Sequence, residues 1–107
     1  MSQQPTDQFG HPISVLFPAR AQVVAVTGSS AVNGTDFGGA VQAVMLQPTV
    51  DMRVVFGDSS ATATDTAASP VLLAGLAYEY NVKGNARVAA IKISGQDDGS
   101  LYITELE

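Results

Sequence analysis

The chain has no cysteine and no tryptophan, a single histidine, and only 5 basic residues against 10 acidic ones. Without cysteine there is no disulfide, no thiolate nucleophile and no cysteine-ligated metal site. With His11 alone, paired imidazoles and poly-histidine metal sites are excluded as well. So few Lys and Arg residues leave no cationic cluster to neutralise phosphates, so no nucleic-acid partner is expected. The net charge of −5 speaks for solubility rather than for a partner. No stretch approaches the roughly 20 apolar residues that cross a bilayer as a helix, so no membrane partner is expected. Residues 1–12 (MSQQPTDQFGHP) lack the basic start and apolar run of a signal peptide, and synthesis in the cytoplasm is the expectation.

What the chain does have is 46% hydrophobic residues with only 14% charged, the balance of a sequence that folds around a core. A length of 107 residues fits one such core. Residues 1–12 are polar, contain Pro5, Gly10 and Pro12 and show no periodicity, which describes an extended N-terminal arm. From Ile13 onward, short apolar or alternating runs are separated by Gly, Asn, Asp and Pro, the rhythm of strands and turns. Strands are predicted near residues 13–16, 20–27, 40–47, 50–57, 71–82, 86–94 and 101–106. The fold class that uses them is all-β: residues 13–107 as a single antiparallel β-sandwich, with the jelly roll as one way of winding it.

The C-terminal third supports a more detailed expectation. Leu76, Tyr78, Tyr80 and Val82 alternate with Ala77, Glu79, Asn81 and Lys83, a period of two. Gly84-Asn85 suits a type II′ turn, which sets Tyr80 opposite Ala89, Tyr78 opposite Ile91 and Leu76 opposite Ile93. A loop over Asp97, Asp98 and Gly99, closed by a glycine bulge, then sets Ile93 opposite Ile103 and Gly95 opposite Leu101. The prediction is a three-stranded meander with Tyr78, Tyr80, Ile91, Ile93, Leu101 and Ile103 toward the core.

No arrangement for catalysis emerges, and the expectation is that the chain is not an enzyme and needs no cofactor or metal. His11 lies between Gly10 and Pro12 with no nucleophile or orienting acid beside it. Asp58, Asp65, Asp97 and Asp98 lack the dense ligand spacing of a calcium loop and read as turn residues. The glycine-rich stretch 28–39 (GSSAVNGTDFGG) has no phosphate-binding motif and precedes a strand rather than a helix. Tyr102 differs from the other tyrosines because it alternates away from Leu101 and Ile103, onto the outer face. Val88, Ala90, Lys92 and Ala77 are assigned outward too, and so small and weakly polar a surface is commonly covered. The cover is either a partner or a second sheet of the same domain.

Three segments carry a resemblance: RVVFGDSSATATD (53–65), SPVLLAGLAYEYNV (69–82) and ARVAAIKISGQDDGSLYITE (86–105). In order, they resemble phrases that recur in small structural proteins of tailed bacteriophages and prophages. These are a strand ending in Phe-Gly-Asp before a Thr/Ala-rich loop, a turn of the Leu-Ala-Gly-aromatic type, a Val-Ala-Ala-Ile strand and a closing Leu-Tyr-Ile-Thr. The resemblance covers about the last half of the chain and leaves residues 1–50 without a counterpart. It implies a virion component, a capsid decoration or cement protein on the outer shell. Its partners would be the major capsid protein or other virion proteins and copies of itself, as a homodimer or homotrimer. Candidate partner-binding residues are Phe9 and His11 in the arm, Phe37 in the glycine-rich loop and Tyr102. The alternative is a tail- or fibre-associated module that binds host carbohydrate through the loops at Phe37 and Thr62 to Thr66 and through Tyr102.

Overall fold

A computed structural model describes residues 17–107, so the expected arm of residues 1–12 and strand at 13–16 lie outside the described residues. The described chain forms strands β1 (Pro18–Val26), β2 (Ala31–Val32), β3 (Ala43–Pro48), β4 (Met52–Gly57), β5 (Val71–Leu72), β6 (Tyr78–Asn81), β7 (Arg87–Lys92) and β8 (Gly99–Leu106). They make two antiparallel sheets of four strands each, in the orders β1-β8-β3-β6 and β2-β7-β4-β5. The first pairs with the last, β1 with β8; then β2 with β7, β3 with β6 and β4 with β5. This is the pairing of one long hairpin with its tip between β4 and β5, wrapped so that successive pairs fall in alternate sheets. The expected β-sandwich is therefore what forms.

Alternation supplies the core. Val24 and Val26 of β1, Val44 and Leu46 of β3, and Leu101 and Ile103 of β8 point inward from the first sheet. Met52 and Val54 of β4, Leu72 of β5, and Val88 and Ala90 of β7 meet them from the second. Full burial of side chains of this size contributes about 1.5–3 kcal/mol each, which makes the interface between the sheets the main source of stability.

The expected meander does not form, because its strands belong to different sheets. β6 pairs only with β3, and β7 pairs with β2 and β4, so Tyr78 and Tyr80 face Leu46 and Val44 rather than Ile91 and Ala89. Between β6 and β7 the chain turns a corner from one sheet to the other. The turn lies one residue earlier than expected: Asn85 N–H donates to the Val82 carbonyl (2.8 Å), and the central residues Lys83 and Gly84 have φ of 49° and 80°. Positive φ at both positions is the type I′ pattern rather than type II′.

β7 and β8 also part company. Ile103 pairs with Gln22 and Leu46 and not with Ile93, and the reversal is a turn over Ile93–Gln96 with Gly95 at φ 91°. Gly99 is the first residue of β8 rather than a bulge. Its need for glycine is spatial: a Cβ there would stand 2.6 Å from Thr49 Oγ1 and 2.8 Å from both Val50 methyl groups.

Three further differences follow from the wrapping. The expected strand 71–82 is broken into β5 and β6 by a turn at residues 73–77, which leaves Leu76 exposed. β2 forms inside the stretch read as a loop. Val88 and Ala90, expected outward, face the core, while Ile91 and Ile93 are only half-buried.

The Ser/Ala/Thr-rich segment 58–70 folds back over the outside of the second sheet. Ala63 N–H donates to Ser30 Oγ before β2, Arg53 Nε of β4 donates to Asp65 Oδ1 (3.0 Å), and Ser94 N–H beyond β7 donates to Asp65 Oδ2. A segment anchored on both sides of β7 must cross it. Ala89, on the outward side of β7, is accordingly fully buried, as is Ala63. A second layer of the same chain thus covers β7 on both faces.

Candidate functional site

The two outer faces of the sandwich differ. That of the second sheet is roofed by residues 58–70, whereas among the described residues no segment covers that of the first sheet. Along β1 the outward positions are Ala19, Ala21, Val23 and Ala25; opposite them stand Tyr102 and Thr104 of β8, then Met45 and Gln47 of β3. The pairing sets Val23 beside Tyr102 and Tyr102 beside Gln47, one row across the sheet. The next row runs Ala21, Thr104, Met45 and Glu79, so the first charge appears only at the far edge, on β6. Tyr102 is 50% exposed and Val23 58%, side by side on the part of the face that carries no charge.

One end of the sandwich is closed by polar groups instead. Arg20, Gln22 and Glu105 follow the inward alternation of β1 and β8, but they lie where the sheets give way to the loop 33–38. Glu105, 1% exposed, accepts from Arg20 Nε (2.5 Å) and Nη2 (3.0 Å), Gln22 Nε2 (3.1 Å) and Gly38 N–H (2.8 Å). Asn33 extends the network: Nδ2 donates to Gln22 Oε1 and the Thr35 carbonyl, and Oδ1 accepts from Val88 N–H. Arg87 ties down the same loop through Asp36 Oδ1 (2.7 Å) and the Asn33 carbonyl. Burial pushes the Glu105 carboxyl up, but Arg20, Gly38 N–H and Gln22 outweigh it and hold the group below its ordinary value. Among the described residues no buried side-chain nitrogen or oxygen lacks a partner, so the network is a satisfied closure that seats the loop.

The sequence candidates are distributed unevenly on this frame. Tyr102 stands on the open face as expected. Phe37 does not: it is 9% exposed, packed in the core with its N–H on the Ala86 carbonyl, and so is corrected from a contact residue to a plug between the sheets. Phe9 and His11 lie outside the described residues. Asp58 accepts from the N–H and hydroxyl of Ser60, Asp65 holds the roof segment, and Asp98 pairs with Lys92 (2.8 Å). The Ser60 hydroxyl, then its N–H, lowers the Asp58 pKa; the Ser94 N–H, then Arg53, lowers that of Asp65.

Tyr78 and Tyr80, both expected in the core, lie on an edge strand: Tyr78 is half-buried against the core, whereas Tyr80 is exposed. Their rings lie nearly parallel, 6° apart, and Tyr80 meets Phe56 edge-on at 5.8 Å. Tyr80, Phe56, Pro70 and Val54 line a shallow apolar cleft of about 250 Å³ there. Val23 went unnoticed in the sequence because the run Val23-Val24-Ala25-Val26 has no polar residue to show which face is which. No protein-family model, curated protein or solved structure matches the chain. Among the described residues no three acidic or histidine side chains gather closely enough to hold a metal ion.

Proposed function

We propose that the chain is a structural protein of a phage-type virion, a capsid decoration or cement protein that docks on the major-capsid lattice and works at the particle surface. The observation that carries this reading is the outer face of the first sheet, uncharged across β1, β8 and β3, with Val23 and Tyr102 adjacent on it. A platform of alanine, valine, threonine and tyrosine, charged only at its far edge by Glu79, is complementary to another protein surface. The resemblance of segments 53–65, 69–82 and 86–105 to phage structural phrases supplies the identity of the partner. The nested strand pairing supports a jelly-roll reading, a winding that occurs in viral capsid domains and also in lectins. Because lectins share it, the fold is an analogy and the site carries the argument.

The test is co-sedimentation with shells that lack the chain. Tyr102→Lys and Val23→Lys each place a charge in the docked face, and each is expected to weaken binding at least about tenfold with an unchanged circular dichroism spectrum. Full occupancy by both variants would remove the face from the mechanism. The carbohydrate-binding alternative keeps Tyr102 but loses Phe37 to the core; binding to a glycan array that Tyr102→Ala abolishes would favour it.

A further inference from the structure

The backbone of the first sheet carries a second message, independent of what its face docks against. Phe17 and Glu107 exchange both backbone hydrogen bonds (2.9 and 3.1 Å) at the foot of the β1–β8 ladder. On the other side of β8, the carbonyls of Ser100 and Leu106 accept from Thr49 and Gln42. Alternation then turns the backbone groups of Leu101, Ile103 and Glu105 toward β1, where those of Val24, Gln22 and Arg20 meet them. The N–H and C=O groups of Ala21, Val23 and Ala25 are left pointing away from the sheet. Among the described residues no other backbone group bonds to them, and all three residues are exposed.

Among the described residues, this is the one long edge of the four in the two sheets: β1 has 9 residues, against 2 in β2, 2 in β5 and 4 in β6. It also lacks the devices that keep edges apart. There is no lysine, the only proline is Pro18 at its start, and the only register shift lies between Pro18 and Arg20. Its one charge, Arg20, points inward onto Glu105. In a chain of net charge −5, two such edges therefore meet without the repulsion that other surfaces carry.

We propose that β1 pairs antiparallel with β1 of a second copy about a two-fold axis at Val23. Val23 then faces the partner's Val23 and Ala21 faces the partner's Ala25, each pair exchanging both backbone hydrogen bonds. This register is self-complementary, as an isologous dimer requires. It keeps outward side chains on one face, so Tyr102, Val23, the partner's Val23 and the partner's Tyr102 form a single row across a continuous sheet. A paired length of seven residues spans about 24 Å, so the contact is at the small end of specific interfaces. Dimerisation is therefore concentration-dependent, with dissociation in the micromolar range.

Sedimentation velocity of the full chain across that range tests it, combined with amide exchange read residue by residue. The expected result is a monomer–dimer equilibrium in which the amides of Ala21, Val23 and Ala25 gain protection as concentration rises. Val23→Pro removes an N–H that β8 does not use and is expected to weaken the dimer at least about tenfold. Val23→Lys leaves the backbone intact, keeps the test valid should proline disturb the strand, and is expected to weaken it in the same direction. A monomer at every concentration overturns the proposal, and so does a dimer indifferent to both substitutions. Protection of these amides that does not depend on concentration also overturns it, because the chain itself would then cover the edge.

Discussion

Replacing Glu105 by glutamine asks whether a buried charge holds the closed end of the sandwich. The change keeps the volume of the side chain but turns one acceptor oxygen into a donor amide, among neighbours that all donate. The carboxylate now accepts from two Arg20 nitrogens, Gln22 and Gly38 N–H. A neutral amide oxygen retains about two of these bonds. Hydrogen bonds to a charged group contribute about 1.5–3 kcal/mol each. Arg20 is 46% exposed and regains hydration when released, which places the total loss near the lower end, about 2–3 kcal/mol. In a domain of this size that lowers Tm by about 10 °C.

The pH dependence makes the test specific to the charge. Burial raises the Glu105 pKa, yet Arg20, Gly38 N–H and Gln22 together leave it lowered in the folded state. Its contribution is thus complete above the unfolded value of about 4.3 and disappears as pH falls through the lower folded value. Urea unfolding of the wild type and Glu105→Gln should show a midpoint difference that is full at neutral pH and shrinks as the pH falls below the unfolded carboxylate range, with unchanged slope. A difference under about 0.5 kcal/mol at neutral pH would refute the reasoning. So would one that stays the same in acid.

Gly99→Ala drives a methyl group into Thr49 Oγ1 and Val50, and it should destabilise the fold by about 1–3 kcal/mol in thermal unfolding. Lys83→Asn suits φ of 49° better than lysine and preserves the turn, which should raise stability by about 0.5 kcal/mol. Asp65→Ala removes the acceptor shared by Arg53 and Ser94; amide exchange at Ala63 should quicken and proteolysis within 58–70 should increase, with little change in the unfolding midpoint.

Period-two patterning tells which side of a strand is apolar and says nothing about which strand lies beside it. Leu101 and Ile103 were legible as inward residues for that reason, and Tyr102 as an outward one. The registers inferred for residues 76–106 failed for the same reason. Turn chemistry at Gly84 marks a reversal whether the chain returns beside itself or crosses to the opposite sheet, and the second reversal falls at Gly95 rather than at the expected Asp97–Gly99. In β7 the alternation itself is uninformative, since Val88, Ala89 and Ala90 are all fully buried, two against the other sheet and one beneath the roof segment. Glu105 is the opposite case: a charged residue in an inward register is visible in the sequence, but its partners Arg20, Gln22 and Gly38 are distant in the chain. Only the wrapped topology brings them together.

That topology also constrains how the molecule comes into being. β8 lies between β1 and β3 at the heart of the first sheet, yet it is the last of the eight strands to be synthesised. Among the described strands, β1 therefore waits through the making of all the others before its neighbour β8 exists. Contacts so remote along the chain form slowly and leave an early apolar strand open to wrong neighbours. Nascent copies crowded on a polysome hold β1 ready before any has β8, so wrong pairing through this strand is favoured there.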